Sequence, residues 1–184
     1  MFLFKKTSNK KIFQQWIENH NDVLYRHALW MTGNQDTAMD MVQETYFQAW
    51  LAIDSLKDKN KSLPWLLTIL RRAIYREQRF QYRQVETLAH LASIEDEPVT
   101  NDDFQLLEIY GMLEGLSPAH RDIFLMHHLH GFSYEEISHQ LGIPMGTVMS
   151  RLSRAKKDLR QLKTFSENNI SVIKKSQAVN DEKR

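Results

Sequence analysis

The chain has 184 residues, 24 Lys and Arg against 23 Asp and Glu, and no cysteine. That length suits one ordinary domain or two small ones, and the missing cysteine excludes a disulfide scaffold, thiolate zinc sites, iron–sulfur ligation and cysteine catalysis. No apolar run approaches the roughly 20 residues that cross a bilayer, and Met1 to Lys11 lacks the apolar core and cleavage site of a secretory signal, so a cytoplasmic protein without membrane insertion is expected.

Strand signals are nearly absent, and apolar residues recur at helical spacing. A first helix is expected from Lys10 to His20 and a second from Asn21 to Met31. Thr32-Gly33-Asn34 then breaks the pattern, with Gly33 suited to a left-handed cap. A third helix covers about Gln35 to Ile53, and the polar, Lys-rich stretch from Asp54 to Leu63 reads as a loop. Ser62 and Pro64 open a fourth helix that continues to about Tyr82.

The helical pattern weakens from Thr87 to Asp103. There Glu95-Asp96-Glu97-Pro98 and Thr100-Asn101-Asp102-Asp103 read as a linker. A second module starts near Phe104, with a helix start at Ser117-Pro118 and a stop at Gly131. Ser133 and Glu136 have the spacing of a capping box. The short helix they open ends at Leu141-Gly142, and Pro144 opens a long helix through about Leu162. The tail from Thr164 is polar. The chain is thus expected to be all-α: two small helical domains, 1–86 and 104–163, joined by a flexible acidic linker over 87–103 and followed by a polar tail over 164–184.

The net charge of +1 argues mildly against nucleic-acid binding, but it hides a strong asymmetry. Residues 1–86 carry 13 basic and 9 acidic groups, 87–118 carry 7 acidic and no basic ones, and 119–165 carry 7 basic and 4 acidic. Two basic segments flank an acidic one.

In the second module, Tyr134 to Leu152 reads as a helix-turn-helix. Ile137, Leu141, Ile143, Val148 and Leu152 stand where buried residues are needed, Gly142 stands at the turn, and Ser138 stands where a small residue permits close approach. Counted from Met145 at about 100° per residue, Val148, Leu152, Ala155, Leu159 and Leu162 share a stripe between about 260° and 340°. Thr147, Ser150, Ser153, Arg154 and Lys157 lie opposite, with Asp158 and Arg151 at their flank and Ser133 at the start of the preceding helix. This acid-free face suits a major groove, although a plain helical hairpin would also carry a solvated basic face.

In the first module, Leu66, Leu67, Leu70, Ala73 and Ile74 form one stripe of the fourth helix. Arg72, Arg76, Arg79 and Arg83 form another, with Trp65 in the same arc and Lys57, Lys59 and Lys61 in the preceding loop. Arginines pair with phosphates and aromatics stack on unpaired bases, so this is a candidate nucleic-acid surface; a solvated basic face over a partly buried Trp65 is the simpler reading. The third helix buries Ala38, Met41, Val42, Thr45 and Ala49. It turns Asp40, Gln43, Glu44, Phe47 and Leu51 outward, as a protein-docking surface would, unless another helix of the chain covers Phe47 and Leu51.

Together, these segments resemble the extracytoplasmic-function class of bacterial RNA polymerase sigma factors. Ala38-Met39-Asp40-Met41-Val42-Gln43-Glu44-Thr45-Tyr46-Phe47-Gln48-Ala49-Trp50 resembles that family's polymerase-binding helix. Trp65-Leu66-Leu67-Thr68-Ile69-Leu70-Arg71-Arg72 resembles the start of its promoter-melting, minus-ten-reading helix. Leu116-Ser117-Pro118-Ala119-His120-Arg121 with Gly146-Thr147-Val148-Met149-Ser150-Arg151-Leu152-Ser153-Arg154-Ala155 resembles its minus-thirty-five reader. The resemblance spans roughly residues 10 to 163. It implies a factor that binds core RNA polymerase through the acidic face and directs promoter-specific initiation. Its loop from Asp54 to Leu63 would hold a flipped base, its arginine face would engage the opened strand, and its last helix would read duplex promoter DNA. The acidic linker would run through the polymerase. The resemblance also admits an anti-sigma partner. Against the family pattern, Arg72 stands for a usual Asn, Arg76 for a usual Asp, Met149 for a usual Lys and Met39 for a usual Glu.

Two other functions compete. A helix-turn-helix response regulator or repressor acting without core polymerase would use only the second module and would leave the first module's two faces without a role. A metal-dependent hydrolase is suggested by eight histidines, of which His127, His128 and His130 cluster. No His-Glu-x-x-His occurs and no acid lies in that cluster, so no metal, cofactor or catalytic residue is expected and the chain is read as a non-enzyme.

Overall fold

The computed structural model describes residues 2–87, 111 and 113–161, and every regular element within them is helical. The chain divides into two compact units, Met1–Leu107 and Glu108–Arg184. The linker expected over 87–103 (from residue 88 onward), the start at Phe104, Leu162 and the tail over 164–184 lie outside the described residues. Among those described, no helix is long and apolar enough to cross a membrane.

The first unit is built from α1 (Phe2–Thr32), α2 (Gln35–Leu51) and α3 (Ser62–Thr87), with single 3-10 turns at Ile53–Ser55 and Lys59–Lys61. The two helices expected before Met31 are one continuous helix. Nothing between His20 and Asp22 enforces a break: no Gly or Pro is present, and each weak helix former there costs well under about 1 kcal/mol. Trp16, Leu24, Ala28, Leu29 and Met31 are buried along the same helix, and that continuous stripe outweighs the local preference. Gly33, at φ 72°, ends it. Asn34 then caps α2, its side-chain oxygen accepting from the Thr37 N–H at 2.8 Å. α2 stops at Leu51, slightly before the expected Ile53, and α3 extends past Tyr82 to Thr87.

α1, α2 and α3 pack against one another in all three pairings. Leu66, Leu67, Leu70 and Ile74 of α3 are fully buried, as are Ala38 and Ala49 of α2. Each buried Leu or Ile contributes about 1.5–3 kcal/mol, which fixes the rotation of α3 about its axis. Polar ties assist. Gln78 donates to the Met31 carbonyl at 3.2 Å, and His20 Nε2 lies 2.9 Å from Ser62 Oγ at the start of α3.

The second unit contains α4 (Pro118–His128), α5 (Tyr134–Leu141) and a helix over residues 145–161, here α6. Ser117 caps α4, with Pro118 in its first turn. Its anchor is Arg121, a buried cation. The guanidinium donates to the carbonyls of Leu113 at 3.0 Å, Glu114 at 3.0 Å and Leu116 at 3.3 Å. Leu113 and Glu114 end the helical residues before α4 and Leu116 lies in the turn after them; with the Leu116 N–H, which also donates to the Leu113 carbonyl, Arg121 satisfies the acceptors at that helix end.

Two predictions follow from these contacts. Arg121→Met should destabilise the second unit by roughly 2–4 kcal/mol, because three carbonyls, two of them in buried hydrogen bonds, lose a charged donor. Faster amide exchange at Ile123, Leu125 and Met126, with Leu66 and Leu70 as unaffected references, checks it. Burial lowers the His20 imidazole below its ordinary 6.5, outweighing a backbone hydrogen bond at Asn19 that raises it. The stability from neutral His20 is therefore full above pH 6.5 and is lost as pH falls through the lower folded value. His20→Gln should remove that acid-side loss. Tryptophan fluorescence reads it selectively, since all four tryptophans stand in the first unit.

Candidate functional site

On α2, the buried side is Ala38, Val42, Thr45 and Ala49, with Met41 only half-buried. The opposite side exposes Asp40 and Gln43, together with Phe47 at 58% and Leu51 at 66% exposure. No described element covers these two apolar side chains, so the acid–aromatic face is open. Met39 adds a third exposed apolar group at 46%. Asp40, Met41, Gln43, Glu44, Phe47 and Arg76 line one depression of about 580 Å³.

On α3, Arg72, Arg76, Arg79 and Arg83 are all exposed. With Arg71 and Tyr75 they line a groove of about 340 Å³. The Arg71 guanidinium lies over the Tyr75 ring, 5.9 Å from its centroid, at cation–π distance. Arg76 belongs to both surfaces. Its guanidinium meets Glu44 Oε1 at 3.1 Å, an oxygen that also accepts from Gln48 at 3.1 Å. The acidic and basic faces, read separately from the sequence, are therefore contiguous and share one ion pair.

Two residues grouped with the arginine face are engaged elsewhere. Trp65 is half-buried, its ring edge-on to Trp16 with centroids 5.9 Å apart. Lys59 turns inward: its ammonium donates to the Ile53 carbonyl and lies 5.5 Å from the Trp16 ring centroid. It holds the two 3-10 turns together over α1. Lys57 and Lys61 remain exposed. Among the described side chains of the arginine helix, the exposed aromatic is instead Phe80, at 55%. Its phase, about 180° from Arg71 and adjacent to Arg76, is the signal that could have found it.

In the second unit, the capping box forms in full. The Ser133 hydroxyl accepts from the Glu136 N–H at 3.2 Å, and Glu136 Oε2 accepts from the Ser133 N–H at 2.8 Å. Ser133 therefore positions α5. Gly142 adopts φ 64°, ψ 33°, the left-handed region that the turn requires. Ser138 contributes more than small size, since its hydroxyl donates to the Ile143 carbonyl at 2.7 Å and closes the turn. Ile137, Val148, Leu152 and Ala155 are buried, which seats α6 against the frame. Ser150, Ser153, Arg154 and Lys157 then face solvent, with Thr147 and Arg151 half-exposed. Ser150 Oγ donates back to the Thr147 carbonyl at 3.0 Å.

The histidine cluster has structural partners. His127 Nδ1 lies 2.9 Å from the Phe132 carbonyl, to which it donates, and the His128 ring packs at a tilt of 42° on Phe124 with centroids 4.5 Å apart. Among the described residues, no three His, Asp or Glu side chains converge as metal ligands would.

The Glu44–Arg76 pair is exposed and worth at most about 1 kcal/mol. Glu44→Gln should release Arg76 and raise the chain's affinity for single-stranded oligonucleotide by about 2- to 5-fold at low salt. Fluorescence anisotropy across a salt series checks this, and the gain should vanish at high salt.

Two family models match the chain, "Sigma-70 region 2" over residues 16–84 and "Sigma-70, region 4" over 106–159. The chain is 31% identical to the ECF RNA polymerase sigma factor EcfG of Rhodopseudomonas palustris, over 73% of this chain and 76% of that protein. It is 33% identical to the ECF RNA polymerase sigma factor SigL of Mycobacterium tuberculosis, over 78% of this chain and 84% of that one. Among solved structures, the sigma factor RpoE of Bartonella quintana, in complex with the anti-sigma factor NepR, superposes with a TM-score of 0.71 at 30% identity, covering 83% of this chain and 96% of that one.

Proposed function

Since the chain belongs to the extracytoplasmic-function family of RNA polymerase sigma factors, we propose specific tasks for its surfaces. As a sigma factor, it binds core RNA polymerase and directs transcription initiation at promoter DNA. In our reading, Asp40, Gln43, Glu44, Phe47 and Leu51 dock on a basic, partly apolar surface of the core enzyme. The exposure of Phe47 and Leu51 beside carboxylates carries this assignment: a merely solvated face would not place large apolar groups there.

The groove of Arg72, Arg76, Arg79 and Arg83 takes the phosphates of the melted minus-ten strand, with Lys57 and Lys61 alongside. Trp65 and Lys59 shape the loop that precedes the groove, and Phe80 offers the ring on which an unpaired base stacks. The free energy for melting then comes from binding the opened strand, through phosphate neutralisation and stacking. α6 lies in the duplex major groove of the minus-thirty-five element. There Ser150, Ser153 and Arg154 reach base edges, and Arg151 and Lys157 reach phosphates.

A repressor acting alone has no use for the first unit's two surfaces. An anti-sigma protein is a further partner in this reading, since the similar RpoE of Bartonella quintana is held by one. The chain works in the cytoplasm, alongside the polymerase.

Run-off transcription tests the whole reading. Purified chain with active core polymerase is expected to start transcripts at promoters of its own genome, and no product from any of them would contradict it. Phe80→Ala should weaken binding of the melted strand by about 5-fold or more while leaving duplex binding by the second unit intact. Permanganate reactivity of the opened thymines measures the loss, and undiminished opening would remove Phe80 from that task.

A further inference from the structure

The start of α6 carries two large apolar side chains that neither the core nor the phosphate contacts account for. Met145 is 51% exposed and Met149 is 50% exposed. They stand one turn apart, at about 0° and 40° in the phase where the buried stripe spans about 280–340° and the polar face begins near 80°. They therefore border the Ser150, Ser153, Arg154 and Lys157 face, on the N-terminal turns of the helix, where a groove-reading helix approaches the bases. The Gly142 turn and the Ser138–Ile143 hydrogen bond set where α6 begins, so both side chains project from a fixed frame.

A thioether cannot neutralise a phosphate and is at most a weak acceptor. On the major-groove edges of the four bases, the only apolar group is the C5 methyl of thymine. The neighbouring cations and the absence of acid on that face commit the occupant to DNA. We propose that Met145 and Met149 are specificity-determining residues that contact thymine methyl groups in the upstream promoter duplex. The proposal rests on the reading that α6 enters the major groove. It adds the class of base that this chain selects there.

Deoxyuridine tests it directly, because it pairs as thymidine does and lacks only the methyl. The full-length chain, loaded on core polymerase, selects genomic promoter fragments. The best fragment is then remade with deoxyuridine at each thymine of its upstream segment in turn. Loss of a buried methyl contact is expected to weaken binding by about 3- to 5-fold at one or two positions. Met145→Ala and Met149→Ala, which are exposed changes to a better helix former, should bind the thymine and uracil duplexes alike at those positions. Equal affinity of the unaltered protein for every substituted duplex overturns the proposal while leaving the groove reading intact. If deleting the upstream segment itself costs no affinity, the groove reading falls and the methyl contact falls with it.

Discussion

Leu66, Leu67, Leu70, Ala73 and Ile74 cannot face water, and the rest of the first unit follows from where they go. They lie together on one side of α3 and are buried against α1 and α2. Turning α3 by one residue, about 100°, would expose leucines and bury arginines. The helix therefore has one rotation, and in that rotation Arg72, Arg76, Arg79 and Arg83 all point outward. α2 obeys the same constraint with small residues, Ala38, Val42, Thr45 and Ala49, which let it pack closely and leave its acids and Phe47 outside. The opposite signs of the two surfaces are consequences of two buried stripes.

The second unit solves a harder problem, because its helices are short. α5 has eight residues and cannot hold together by itself. A capping box at one end, a left-handed glycine at the other, and a serine bridging the turn supply what length does not. Arg121 ties the start of α4 to the backbone before it. α6 is thus seated on a frame whose polar groups are spent on geometry, and its Ser153, Arg154 and Lys157 stay exposed.

Much of this was legible in the sequence, because amphipathic periodicity is a local property. The buried stripes of α2 and α3, the capping box at Ser133 and the turn at Gly142 each depend on residues within a few positions of one another. What escaped depends on distant neighbours. Trp65 has the phase of the arginine face, but Trp16, far away in the chain, takes its edge. Lys59 looked like one more loop cation until the Ile53 carbonyl and the Trp16 ring appeared beside it. Arg76 and Glu44 were assigned to separate surfaces, and the packing of α2 on α3 makes them partners. The continuity of α1 escaped for a related reason: tertiary burial along the helix outweighed weak local formers. Phe80 and Met145 were assigned to no face, and Met149 was noted only as a departure from the family pattern; phase puts each beside a polar stripe, and the structure exposes all three.

The near-neutral net charge is chiefly the sum of two basic segments, 1–86 and 119–165, and an acidic one, 87–118, and in our proposal the acids and the arginines exposed on the first unit go to different partners, core polymerase and nucleic acid. The most direct test of that division reverses one surface and leaves the other. Asp40→Arg with Glu44→Arg in the full chain should cut affinity for core RNA polymerase by about 100-fold or more, since like charges brought together at an interface cost several kcal/mol, while upstream duplex binding is retained. Unchanged core affinity, with the fold intact by circular dichroism, would contradict it.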